Sequence, residues 1–156
     1  MKRKSVRIYS FTETGSCLAL KLAEKLKQEG YVCTGYTVAR FAEDKRLQRL
    51  NDGWKQEIGA SWGEHALVFI GAAGIAIRAI APFVKDKFTD PPVIVLDEKG
   101  IFAIPLLSGH VGGGVTLAKV LAEYTGGRAV ITTATDVQKK FAADVFAMEN
   151  GLIITD

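Results

Sequence analysis

The chain has 156 residues, 48% of them apolar and 24% charged, with a net charge of +3 from 20 basic and 17 acidic side chains. That length and apolar content support one buried core in a single domain and exclude a disordered or fibrous chain. So small a charge excess does not make a nucleic-acid-binding surface.

The segment "MKRK" at residues 1–4 is basic, but the "SVRIYSFTETGS" that follows lacks the apolar core of a signal peptide. Residues 6–11, "VRIYSF", are rich in strand formers. "SCLALKLAEKLKQEG" then sets Leu18, Leu22 and Leu26 on one helical stripe and ends at Gly30, a natural C-cap. "YVCTGY" at 31–36 reads as a second strand. Cys17 and Cys33 form no CxxC pair, so neither a disulfide framework nor a protein metal site is expected, and a reducing cytoplasm fits.

Residues 43–58 predict a charged helix with Leu47, Leu50, Trp54 and Ile58 buried. "ALVFI" at 66–70 predicts a fully buried strand, followed by a short helix from Gly71 to Ala81 that Pro82 stops. The whole apolar run at 66–77 is too short to span a bilayer, and Arg78 closes it, so no membrane partner is expected. "VIVLD" and "IFAIP" flank "EKG", a hairpin signal. "GGGVTLAKVLAEYTGG" predicts a helix between glycine punctuation, and "RAVITT" a last strand. This order implies a three-layer α/β/α sandwich with a mostly parallel sheet and one antiparallel hairpin strand.

In such sheets ligands bind beyond the carboxyl ends of the parallel strands. An antiparallel Val93–Asp97 would bring "FTETGS", "GAAG", "KDKFTDPP", "LLSGH" and "TTATD" all to that edge. A parallel one would leave "LLSGH" at the amino edge. The first arrangement is the expectation, since residues 82–92 are long enough, at ~33 Å for ~10 extended residues, to climb the sheet.

Each loop has a chemical reading beside a plain one. In "TETGS", Thr12, Thr14 and Ser16 before a helix start could hold a phosphate, or Thr14 could simply cap the helix. "GAAG" admits close backbone approach at Gly71 and Gly74, and Arg78, one turn on, could take a carboxylate or stand in solvent. The loop with Lys85, Asp86, Lys87 and Asp90 suits an anion or is merely solvated. "SGHVGGG" is neither a GxSxG nucleophile elbow nor a GxxxxGK[ST] phosphate loop. There His110 could take a proton from water while the N–H groups of Gly112 and Gly113 meet a developing oxyanion, or His110 could cap the helix. His65, beside Glu64, reads as a solvated edge residue, and Trp54 and Trp62 as core or lid.

The run "GIAIRAIAPFVKDKFTDPPVIVLDEKGIFAIPLLSGHVGGG", followed by "AVITTATDV", resembles the N-terminal part of the CbiG family, the cobalt-precorrin-5A hydrolases of cobalamin biosynthesis. The resemblance is densest from Gly74 to Asp136. It implies a hydrolase that opens the ring A δ-lactone of a tetrapyrrole-derived, cobalt-bearing macrocycle and releases acetaldehyde. Cobalt then belongs to the substrate and no further cofactor is implied. The resemblance does not itself assign catalytic residues; from the chemistry of lactone hydrolysis His110, Ser108, Asp90 and Asp136 are the catalytic candidates, with Asp90 or Asp136 orienting His110. Arg78, Lys85 and Lys87 would clamp corrinoid carboxylates, with Gly71, Gly74, Gly109, Gly112, Gly113, Thr132 and Thr133 lining the same cleft. Where many members run Gly-Gly-Ala-Asn at the helix start, this chain has Gly113, Gly114 and Val115. Residues 1–156 are expected to form one domain without the family's C-terminal domain, the natural partner for the site's opposite wall. The residues leave a homo-oligomer open. They also leave two rivals: a non-catalytic corrinoid-binding module and a flavodoxin-like phosphate- or flavin-binding domain.

Overall fold

The computed structural model describes residues 4–43, 46–138, 146–147, 150–151 and 153. In chain order they form β1 (Ser5–Ser10), α1 (Glu13–Gln28), β2 (Val32–Thr37), α2 (Ala39–Ala42), β3 (Gln48–Arg49), α3 (Trp54–Ala60), β4 (Ala66–Ile70) and α4 (Ala73–Ile80). A 3-10 turn at Ala81–Phe83 leads to β5 (Val93–Leu96), β6 (Phe102–Leu107), α5 (Gly114–Thr125), β7 (Arg128–Ala129) and α6 (Ala134–Val137). One seven-stranded sheet has the order β3-β2-β1-β4-β5-β6-β7.

Side-chain alternation divides the core between the sheet's two faces. On one face Val6, Ile8, Val68, Ile70, Ile94 and Leu96 pack against Leu22 and Leu26 of α1 and Leu117 and Leu121 of α5. On the other, Tyr9, Leu67, Phe69, Val93 and Val95 pack against Ile58 of α3 and Ala76, Ala79 and Ile80 of α4. Three layers follow, helices on each side of the sheet, as the alternating pattern predicts.

Every adjacent pair of strands is parallel except β5–β6. The antiparallel strand is not the one expected. Val93–Leu96 runs parallel to β4, in the register Leu67↔Val93 to Ile70↔Leu96. The reversal comes one strand later, at β6, and β7 runs parallel to β6. The physical reason lies in residues 84–92. α4 and its 3-10 turn carry the chain down to the amino edge of β4, and the Asp90 carboxylate fastens the loop there through the backbone N–H of Lys85, 3.0 Å from both of its oxygens. The β4-α4-β5 crossover is therefore an ordinary parallel one, and no climb is made.

Three smaller expectations also change. Residues 43–58 do not form one helix: Leu47 is buried beside the short β3, and only Trp54–Ala60 is helical. Of "RAVITT" only Arg128–Ala129 pairs as strand. The N-cap of α1 is Thr12, not Thr14, and its hydroxyl accepts from the Gly15 N–H at 3.0 Å.

Candidate active site at the amino edge

With β6 reversed, three loops meet at the amino edge of β4 and β5: residues 84–92, residues 108–113 after β6, and residues 130–136 after β7. β6 ends in a tight fold-over. Ser108 takes the left-handed conformation, φ 52°, and its hydroxyl donates to the Asp90 carbonyl at 2.7 Å. The N–H groups of Gly113 and Gly114 donate back to the carbonyls of His110, at 3.2 Å, and Ser108, at 3.1 Å. A Cβ on Gly112 would stand 2.6 Å from the Ser108 Cβ and 2.9 Å from its carbonyl oxygen, so the turn closes only on glycine.

This fold-over sets the His110 ring beneath α6. Nε2 lies 2.5 Å from Oδ2 of Asp136 and 2.9 Å from Oγ1 of Thr135. Only 14% of the His110 side chain and 26% of the Asp136 side chain are exposed. The carboxylate accepts, so the neutral ring carries its proton on Nε2 and keeps the lone pair on Nδ1. No described residue makes a hydrogen bond at Nδ1. The ring lines a cavity of about 340 Å³ with Lys87, Ser108, Val111, Thr133 and Thr135.

The expected site residues divide between the two edges of the sheet. Lys87, Ser108, Gly109, His110 and Thr133 share the cavity, with Asp136 behind the imidazole. Thr132 is exposed and lies outside that lining. Gly112 and Gly113 face an adjoining cavity of about 310 Å³, together with His65. Because the Gly113 N–H is already donated to His110, it is not an oxyanion donor. Among the described residues the N–H groups of His110 and Val111 donate to no backbone carbonyl in this turn.

Asp90 is 7% exposed, and its carboxylate hydrogen bonds go to Trp62 and Lys85 rather than to His110. Its carboxylate accepts from the Trp62 Nε1–H at 3.0 Å as well as from the Lys85 N–H, which makes it a clamp rather than an orienting base. Lys85 is exposed, and its backbone does the visible work. Gly71, Gly74 and Arg78 stand at the carboxyl edge, at the opposite end of β4 from His110. At five residues and ~3.3 Å each, the sheet separates the edges by roughly 17 Å. The single cleft expected from the sequence does not form.

Thr135 and Trp62 were not among the expected site residues. Thr135 had a signal, its place beside Asp136 in "TTATD". Trp62 had none, since its partner lies 28 residues along. His65 is half-buried rather than solvated and shares a 2.7 Å hydrogen bond with the Ser5 hydroxyl. Burial and the nearby Arg7 hold its pKa below the ordinary histidine value, against the pull of Glu64.

The "TETGS" segment gives no phosphate cradle. Thr12 donates to Glu98 Oε2 at 2.8 Å, which sets a carboxylate where a phosphate would have to sit. Among the described residues, no group of three or more His, Cys, Asp or Glu side chains converges to hold a metal ion. No described helix is long and apolar enough to cross a membrane.

Comparison with known proteins places the His110 region inside a matched segment. A family model described as "Cobalamin synthesis G N-terminal" matches residues 58–136. The chain is 38% identical over 166 aligned residues to the cobalt-precorrin-5A hydrolase of Salmonella typhimurium, covering all of this chain and 43% of that protein. It is 45% identical over 87 residues to the enzyme of the same name from Priestia megaterium, covering 56% of this chain and 23% of that one. A crystal structure of a cobalamin biosynthesis protein G homologue from Sulfolobus solfataricus superimposes with a TM-score of 0.64 at 27% identity, covering 82% of this chain and 36% of that chain. The chain thus spans less than half the length of the curated relatives it matches.

Proposed function

Because this chain belongs to the cobalamin synthesis G N-terminal family, we propose that it supplies the N-terminal part of a cobalt-precorrin-5A hydrolase, with the His110 cavity as its catalytic mouth. The observation that carries this reading is the His110–Asp136 pair at 2.5 Å on the wall of an open cavity.

The chemistry follows from the tautomer. Water at Nδ1 of His110 gives up a proton as it attacks the carbonyl carbon of the ring A lactone. Asp136 steadies the imidazolium that forms, much as a carboxylate does behind any catalytic histidine. The carbonyl oxygen gains charge and meets the N–H groups of His110 and Val111. The tetrahedral adduct then collapses, the ring C–O bond breaks, and the leaving oxygen takes the proton from His110. The freed alcohol then loses its O–H proton as its C–C bond to the macrocycle breaks, the bonding pair stays with the macrocycle, which takes up a proton, and the carbon leaves with its methyl as acetaldehyde. Lys87, on the cavity rim, suits one of the substrate's peripheral carboxylates. Cobalt enters as part of the substrate, and no further cofactor is part of the proposal.

A cavity of about 340 Å³ holds one edge of such a macrocycle, not the whole. The proposal is therefore a half-site, completed by the further length that the relatives carry. That same observation favours a second reading, in which this domain binds the corrinoid and the reacting groups lie elsewhere. Flavin binding fits less well, since Glu98 occupies the helix entrance that a flavin phosphate would need.

The test is acetaldehyde release from cobalt-precorrin-5A by this chain joined to the C-terminal part of a relative. His110→Ala is expected to lower the rate by about 10²–10⁴, the range for a lost general base. A near-normal rate from about pH 6 to about pH 9 would leave the binding-module reading standing instead.

A further inference from the structure

A larger cavity lies at the other edge. About 620 Å³ opens at the carboxyl end of the parallel strands, lined by Phe11, Ile75, Trp54, Arg49 and Arg78 among others. Its position is not arbitrary. β1 and β4 are neighbours in the sheet, yet α1 leaves β1 to one face and α4 leaves β4 to the other. Helices diverging from adjacent parallel strands open a crevice at their carboxyl ends, where α/β sheets hold ligands.

The lining has a definite chemistry. Phe11 and Trp54 make a ring wall, centroids 5.7 Å apart and inclined at 49°. Two guanidiniums, Arg49 and Arg78, share the cavity with that wall, and Lys55 stands 5.6 Å over the Trp54 ring. A single carboxylate, Asp52, is on the same lining. Among the described residues neither guanidinium has a carboxylate within salt-bridge reach. Arg78 folds back along its helix, its Nη1 3.0 Å from where a Cβ of Gly74 would stand, so the missing side chain at Gly74 gives the guanidinium room over the first turn of α4.

Two guanidiniums without anions beside an aromatic wall describe a receptor for a planar anion. We propose that this cavity is a second ligand site, separate from the His110 mouth, which binds a small aromatic or heteroaromatic ring bearing a carboxylate or a phosphate. The ring lies against Phe11 and Trp54, and the oxyanion is taken by Arg49 and Arg78. The helix entrance of α1 plays no part, because Thr12 and Glu98 close it.

Calorimetric titration of the chain with phenyl phosphate, benzoate and inorganic phosphate tests this. Emission from Trp54 in a Trp62→Phe background gives a second readout from inside the cavity. Saturable binding of one ring-bearing anion is expected, and whichever of the two binds more tightly identifies the oxyanion. Inorganic phosphate is expected to bind at least about tenfold more weakly than phenyl phosphate, and Arg49→Ala with Arg78→Ala to weaken the ring-bearing anion by about tenfold or more, about 1.4 kcal/mol. Both arginines are exposed, so the fold is expected to survive their loss. Failure of both ring-bearing anions to saturate below about 10 mM, weaker than ~3 kcal/mol of binding, would overturn the site. So would unchanged affinity in the double variant, and inorganic phosphate binding as tightly as phenyl phosphate would overturn the planar ring.

Discussion

Two aspartates in the matched region have opposite duties, and substitution separates them. Asp136 meets His110 directly, so Asp136→Asn keeps the size and loses the charge that steadies the imidazolium in the proposed mechanism. Its expected effect in the joined enzyme is a loss in kcat of up to about 10⁴-fold with KM little changed, the scale for replacing the carboxylate behind a general-base histidine by its amide. Asp90 instead receives two N–H groups from the protein itself. Asp90→Ala leaves the Trp62 indole and the Lys85 amide without their acceptor, and is expected to cost about 1–3 kcal/mol of stability by urea denaturation. The sequence offered both aspartates as partners for His110. Only the fold could separate them, because a carboxylate in a charged loop gives no sign of which way it turns. Asp136 was legible, since it follows a strand that had to end near "LLSGH". The clamp at Asp90 was not, because Trp62 comes from a different connection altogether.

At the level of elements, the strands and long helices were legible from periodicity. β1, β4 and the Leu22–Leu26 stripe of α1 fall where the pattern puts them, and the helix between Gly113 and Gly126 is bounded by glycines with φ 79° and 70°. Strand direction was not legible. It is a relation between elements, and a run of apolar residues such as "VIVL" reads the same in either direction. The physical determinant is the connection: the short α4 already delivers the chain to the amino edge, so a parallel β5 needs no extra climb. Of the five loops expected at one edge, residues 84–92, 108–113 and 130–136 still converge, at the amino edge, while "FTETGS" and "GAAG" stay at the carboxyl edge. The fold-over after β6 gives its own test. Gly112→Ala forces a methyl group onto the Ser108 Cβ and carbonyl, contacts that cannot relax without opening the turn. It is expected to cost about 1–3 kcal/mol in a thermal or urea melt. In the joined enzyme it is also expected to lower kcat, since the same turn aims His110.

In the proposed half-site the described residues supply one wall, the cavity of about 340 Å³ at His110. The expected behaviour is a chain that folds alone, on the strength of two closed helix–sheet cores, but turns over poorly. Residues 1–156 with and without the C-terminal part of a relative, assayed side by side for acetaldehyde, check this. Equal rates would make the chain a complete hydrolase. The reversal at β6 has a kinetic consequence as well. β5–β6 is the antiparallel pair in the sheet, joined by residues 97–101, whereas each parallel pair must wait for an intervening connection to be placed. Contacts between residues close in sequence cost the least loop-closure entropy and tend to form early. The turn is pre-shaped: Asp97 accepts from the Lys99 N–H at 3.0 Å and the Phe102 N–H at 2.7 Å. Burial pushes the Asp97 pKa upward, but these backbone donors outweigh it and hold the group below the ordinary aspartate value. The turn's contribution is therefore complete above that ordinary value and fades as acid protonates the carboxylate. Asp97→Ala is expected to slow refolding in stopped-flow mixing by nearly the whole of its equilibrium destabilisation, leaving the unfolding rate almost unchanged. The opposite split, with unfolding accelerated and refolding untouched, would put the hairpin late, and the order in which this sheet assembles would then begin at β1 and β4.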